Sequence, residues 1–256
     1  MKKLLSLAAV LFAFTLVLTA CGNPNGSGGN GSGNGNGEAT SRYQVGDIVL
    51  NDGTYLRGVE SVSSADIAKA IAVIYKVSGS AAYGVGLVHS TAGLQWCTSS
   101  AAAFNTNITT IQCPPNESEG NLTFNENCDT EGSDNLEQIA AFLGTSNDTE
   151  TAENYPAFYF AKNYASQSGS HVSGTAYASG WYLPTLSELY DIWKVKATVE
   201  AASNLCGGST FGSWYWSSSQ SHSGDNMAYL ILSGGSWNGF SKRNSSLCVC
   251  AIREFN

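Results

Sequence analysis

Cys248 and Cys250 stand one residue apart near the C-terminus, so on an extended strand their thiols leave from the same face. Two thiolates placed this way suit a soft ion such as copper. Four more cysteines precede them, Cys97, Cys113, Cys128 and Cys206, while Cys21 sits apart at the end of an apolar leader. The even set outside the leader predicts disulfides in an exported protein, and six cysteines leave about fifteen connectivities open. Cys248 and Cys250, neighbours on one face, are expected to reach earlier cysteines rather than each other. His89, His171 and His222 show no metal-ligand spacing and read as surface or lightly buried residues. Asp225 and Asn226 are adjacent oxygen donors, but calcium takes about 6–8 oxygens and no companion carboxylates accompany them. There is no nucleophile elbow, Walker A loop or EF-hand. No catalytic residue, metal ligand or cofactor is assigned.

The elements that would carry these residues have their own signatures. Thr185 and Glu188, behind Pro184, have capping-box spacing, and Leu186, Leu189, Tyr190 and Trp193 give the following helix an apolar face. Glu188 is therefore expected to cap rather than catalyse. Asn135 to Leu143 places Leu136, Ile139, Ala140 and Leu143 on one helical face, and Pro156 opens a helix to Tyr164. Ser64 to Asp66 should cap a short helix. Strands are expected at Val45 to Leu50, at Thr54 to Arg57 after an Asp-Gly turn, at Ala72 to Val77 and at Ala82 to Val88. Cys97 to about Ser133 has no regular period and reads as a long, disulfide-stapled loop. After Leu205, strands are expected at Trp214 to Ser218, Met227 to Ser233 and Leu247 to Arg253. In Met227 to Ser233, alternation puts Ala228, Leu230 and Leu232 on one face and Tyr229, Ile231 and Ser233 on the other.

The other end of the chain addresses it. Lys2 and Lys3 precede the apolar run Leu4 to Leu18, which closes on Leu18-Thr19-Ala20-Cys21-Gly22. That closing sequence resembles the bacterial lipobox, which implies removal of residues 1–20 and acylation of Cys21. Several acyl chains hold a protein on a membrane where one holds it only marginally. No aspartate follows Cys21, which points to the outer membrane of a two-membraned cell. Gly22 to Gly37 is almost wholly Gly, Asn and Ser. Residues 21–41 are thus a lipidated cysteine with a flexible tether, reaching roughly 20–25 Å.

Residues 42–256 remain as one domain, long enough to bury a full core. Charged residues are 12% of the chain and the net charge is -8. No basic cluster lies beyond the leader, so nucleic acid is excluded as a partner. Little charge with much Trp, Tyr, Ser, Asn and Gly suits an exported domain that makes contacts through aromatics.

"GWYLPTLSEL", "WYWSSS" and "CVCAIREF" follow one another with short gaps. Together they resemble the C-type-lectin-like domain of the formylglycine-generating-enzyme (sulfatase-modifying) subtype, and more narrowly the variable surface lipoproteins that bacterial diversity-generating retroelements rewrite. The resemblance runs from about Val45 and is strongest from Gly180 to Phe255. It implies an α+β, loop-rich fold with short antiparallel sheets and a few helices. It also implies a ligand-binding surface within about 214–256, recoded by reverse transcription that errs at adenines, with changing, chiefly protein, ligands. Two alternatives attach to it. The fold's namesake oxidises a substrate cysteine with copper held by two cysteines, and other lectin-like domains bind carbohydrate.

Asparagine codons mutated at their adenines reach every residue type except Trp, Met, Lys, Gln and Glu. The positions expected to vary are Ser221, His222, Ser223, Asp225, Asn226, Tyr229, Ile231, Ser233, Ser236, Asn238, Phe240, Ser241, Arg243, Asn244, Ser245 and Ser246, and all are reachable types. The expected frame residues Trp216, Gln220, Trp237 and Lys242 are unreachable ones. Met227 departs from the family pattern, which favours a small residue there. In "SGGSWNGFSKRNSS", Phe and Arg offer stiff contact area, with Tyr229 beside them, while Ser, Asn and Gly adapt their hydrogen bonds.

Overall fold

A computed structural model describes residues 40–116, 121–144 and 153–256. The expected signal peptide, Cys21 and nearly all of the tether lie outside the described residues. Glu38–Asn256 forms one compact unit. No helix among the described residues is long and apolar enough to cross a membrane.

β1 (Ile48–Leu50) turns through Asn51 to Gly53 into β2 (Tyr55–Leu56). Gly53 takes a φ of 86° and returns its N–H to the Leu50 carbonyl at 3.0 Å, a backbone shape that a side chain would strain. α1 (Ser64–Ile67) is a single turn capped by the Ser63 hydroxyl, one residue before the expected cap. β3 (Ala70–Ser78) and β4 (Ala81–Gly86) form a hairpin, and the C-terminal β8 (Ile252–Phe255) lies along β4. The resulting sheet is antiparallel throughout, in the order β2-β1-β3-β4-β8.

Both faces of this sheet are covered, which explains the unbroken apolar run of β3. Ile71, Ala72 and Ile74 share one core with the buried residues of α2 (Asn135–Leu143) and α3 (Pro156–Lys162) and the indoles of Trp96, Trp181 and Trp216. Ala70, Val73 and Tyr75 meet α4 (Leu186–Lys194) and α5 (Lys196–Leu205). The Thr185–Glu188 capping box is present, with both reciprocal hydrogen bonds made. Glu188 is fully buried and also accepts the Tyr182 hydroxyl at 2.8 Å. Burial raises its carboxyl to about 7.

A second antiparallel sheet holds β5 (Tyr215–Gln220), β6 (Met227–Ile231) and β7 (Trp237–Ser241), in that order. β7 falls inside "SGGSWNGFSKRNSS", where no strand is expected from the sequence. Residues 247–252 run extended between the two cores. Leu247, Val249 and Ala251 enter one core, and Cys250 and Ile252 the other, with Cys248 packed against it. The α+β class expected from the sequence is therefore observed: antiparallel sheets with several helices.

The long stretch 97–133 holds one 3-10 turn, Thr109–Ile111, and is otherwise irregular where described. The six cysteines are present as thiols.

Candidate functional site

β5 is the floor of the C-terminal region, and every one of its residues is buried. Burying a run of serine is costly unless each hydroxyl is matched. Here each goes to a different neighbour. Ser217 donates to the Tyr229 carbonyl on β6 at 2.8 Å, Ser218 accepts from the Asn135 amide of α2 at 2.7 Å, and Ser219 accepts from the first N–H of α4 at 3.1 Å. "WSSS" thus joins one strand to three other elements. Two indoles lock the same strand to the chain near residue 95: Trp96 donates to the Ser217 carbonyl at 3.0 Å and Trp216 to the Leu94 carbonyl at 2.8 Å.

Lys242, at the end of β7, is also fully buried. Its ammonium donates to the carbonyls of Ala103 (2.6 Å) and Asp225 (2.8 Å) and to the Gln220 side-chain oxygen (3.0 Å). It faces the Trp96 ring, 4.8 Å from the centroid. Burial lowers its pKa from 10.5 to about 8. Gln220 completes the cage, accepting from Ile108 N–H at 3.2 Å and donating to Thr106 at 3.0 Å. One cation therefore fixes the β5–β6 turn, the end of β7 and the 103–106 segment together. Sequence reading placed Lys242 and Gln220 in the frame but gave no sign of this cage, because most of its acceptors are main-chain oxygens far away in sequence.

Above this frame lie the residues expected to vary. His222, Ser223, Asp225 and Asn226 are exposed on the β5–β6 turn, and Arg243, Ser245 and Ser246 are exposed beyond β7. The β6–β7 ladder brings these two groups side by side: Ser241 pairs with Met227, and Lys242 N–H donates to the Asn226 carbonyl at 2.9 Å. Ser241, Arg243, Asn244, Ser245 and Ser246 line an open recess of about 420 Å³. Half-buried Phe240 meets the ring of Trp214, itself 44% exposed, edge-on at 6.1 Å. Asn238 is exposed on β7.

Exposed Ser233 and half-buried Ser236 fall elsewhere, at the opposite end of β6 and β7 beside α4. That end is roughly 14 Å away along the strand. Its turn is closely packed, since a Cβ on Gly235 would lie 2.1 Å from the Trp193 ring.

Three of the expected surface residues are not on the surface. Tyr229 is 0% exposed, Ser221 1% and Ile231 5%. The expected alternation of β6 holds, with Ala228 and Leu230 in one core and Tyr229 and Ile231 in the other. The error is in taking one of those faces as solvent. β6 is the central strand, and α4 covers the face that was read as outward. The Tyr229 hydroxyl is bonded to the His222 ring instead. His89 is likewise corrected from lightly buried to fully enclosed: it bonds Tyr215 at 2.8 Å, and burial lowers it to about 4. His171 is exposed, with a φ of 55°.

Among the described residues no group of three or more His, Cys, Asp or Glu side chains is placed to hold a metal ion. Cys250 is fully enclosed, and burial pushes its thiol well up, while Cys248 is half-buried.

No protein-family profile matches the chain, and no curated protein is detectably similar to it in sequence. Among solved structures, a fimbrial protein from Bacteroides ovatus has a similar fold, with a TM-score of 0.52 at 16% identity over 83% of this chain and 49% of that one. The chain spans about half the length of that solved chain.

Proposed function

We propose that this is a lipid-anchored, surface-displayed ligand-binding protein. Its α+β domain is of the C-type-lectin-like, formylglycine-generating-enzyme subtype, and its exposed C-terminal turns are rewritten by a retroelement. The observation that carries the reading is a division of labour between neighbours. Trp216, Gln220 and Lys242, types that adenine errors in asparagine codons cannot produce, are fully buried. The reachable His222, Ser223, Asp225, Asn226, Arg243, Ser245 and Ser246 around them are exposed. Apart from the His222 ring, which bonds the buried Tyr229 hydroxyl, side chains there can change without touching the frame, as in antibody loops. The contact surface is narrower than the sequence suggested: Ser221, Tyr229 and Ile231 belong to the frame, and Ser233 and Ser236 lie apart.

Acylation of Cys21 and placement in the outer membrane rest on the leader sequence, and a protein ligand rests on the mixture of aromatic and adaptable polar side chains. Copper chemistry at Cys248 and Cys250 is less well supported, because a reacting metal needs access and Cys250 has none. A second reading, a fimbrial subunit, takes its support from the fold likeness alone, which does not carry function by itself.

The flanking DNA tests the proposal. A near-copy of the segment encoding Trp216 to Phe255, differing only at adenines and lying beside a reverse transcriptase gene, is the expected finding. A locus with no such copy, and with identical codons in sister strains, would overturn the diversified reading. A neighbouring cluster of pilus subunit genes would favour the fimbrial one.

A further inference from the structure

Within the irregular 97–133 stretch, the chain folds back on itself in a short antiparallel pair. Asp129 N–H donates to the Gln112 carbonyl at 3.3 Å, Asn116 N–H donates to the Thr123 carbonyl at 2.9 Å, and Pro115 stands opposite Phe124. These bonds bracket Cys113 and Cys128 and set them opposite each other across the pair, with the Cys128 thiol 3.8 Å from the carbonyl of Pro114, the neighbour of Cys113. Cys113 is buried. Half-buried Cys128 borders an open recess of about 620 Å³ that Pro114, Phe124 and Asn127 also line. A reachable thiol against a buried partner is the arrangement from which thiol–disulfide exchange closes a bridge.

We propose that Cys113 and Cys128 are joined by a disulfide in the mature protein. The Cys128 thiolate, its proton passed to water, attacks one sulfur of a glutathione-type disulfide and expels one thiolate. Cys113 then loses its proton and attacks the Cys128 sulfur of the mixed disulfide, expelling the second thiolate. The two cysteines lose two electrons and two protons; the oxidant's sulfur–sulfur bond breaks and takes them up as two thiols. The bridge supports the ligand surface from below. Gln112 pairs with Gln220 of β5, whose side-chain oxygen accepts from the Lys242 ammonium at 3.0 Å. The inference deepens the proposed function and rests on it only for the oxidising surroundings; closure by the purified chain does not depend on it.

The test is to equilibrate the purified full-length chain in a reduced/oxidised glutathione buffer and alkylate the remaining thiols. Cleavage at glutamate follows, since Glu117, Glu119 and Glu126 separate the two cysteines, and the peptides are weighed without reduction. The expected result is a linked pair of peptides carrying Cys113 and Cys128, lighter by two hydrogens than the separate thiols. In Cys113→Ser or Cys128→Ser the surviving cysteine of the pair is alkylated instead. Full alkylation of both in the unaltered chain would overturn the proposal, as would linkage of either to Cys97, Cys206, Cys248 or Cys250. A chain with this bridge closed but no variable codons would count against the proposed function and leave the bridge standing.

Discussion

The Lys242 ammonium lies 4.8 Å from the centre of the Trp96 ring and shares Gln220 with the backbone of Ile108. This contact joins the expected ligand surface to the core, because the residues on either side of Lys242 in the chain face solvent or half-face it. Lys242→Met keeps the stem but removes the donors to Ala103, Gln220 and Asp225. The Ala103 carbonyl loses its ammonium donor, while Gln220 keeps only its bond from Ile108 and Asp225 only a long one from Gln220, which together should cost about 3 kcal/mol, or roughly 6–12 °C in melting temperature for a domain of this size. Thermal unfolding followed by circular dichroism checks it.

The same lysine sets a pH dependence. Its pKa is 10.5 ordinarily and about 8 in the fold. Between those values the unfolded chain holds a proton that the folded chain has released, so this group makes stability rise with pH from about 8 to 10.5. The advantage of the unaltered protein over Lys242→Met should therefore widen across that window. Denaturant titrations at several pH values measure the gap; a gap that stays flat or narrows contradicts the assignment.

Glu188 gives the opposite slope at lower pH. Burial lifts its carboxyl from 4.5 to about 7, and lifts Asp129 from 3.8 to about 6. Below the ordinary value both states hold the proton. Above it only the folded state does, so the contribution of Glu188 to stability is lost as pH rises through about 4.5 to 7. Glu188→Gln keeps an oxygen to accept from Tyr182 and removes the titration. The variant should show a shallower fall in melting temperature across that range.

Tyr229 and Arg243 separate frame from surface. Tyr229→Ala empties a fully buried site and should cost about 3–5 kcal/mol. Arg243→Ala should change stability by less than about 0.5 kcal/mol. Trp216→Ala, which also strands the Leu94 carbonyl, should behave like Tyr229→Ala. Chemical denaturation of the three variants ranks them.

Most of the frame was readable because its signals are local. The Thr185–Glu188 box, the Asn135–Leu143 stripe and the apolar run of β3 each depend on neighbours within one turn or one strand. What could not be read depends on distant partners. Ser217, Ser218 and Ser219 look solvent-facing until Tyr229, Asn135 and Leu186 are brought to them, and Lys242, expected in the frame, shows nothing of the carbonyls that enclose it. β7, with the sequence WNGFS, has turn composition and becomes a strand because β6 supplies its partner. α5 buries only Val199, Ala202 and Ser203, so it has few large apolar residues to mark it. On β6 the periodicity was right, but periodicity alone cannot tell whether a second face is covered, and that uncertainty put Tyr229 and Ile231 on the wrong side.

The central claim is that the turn residues can be rewritten while the fold stays fixed. Its direct test replaces Ser223, Asp225, Asn226, Asn238, Arg243, Ser245 and Ser246 together by other types reachable from asparagine codons and measures thermal unfolding. The melting temperature should stay within about 5 °C of the parent, since exposed substitutions each change little. Loss of the cooperative transition, or a fall as large as that of Lys242→Met, would show that these side chains hold the fold together and are not a surface kept free for ligands.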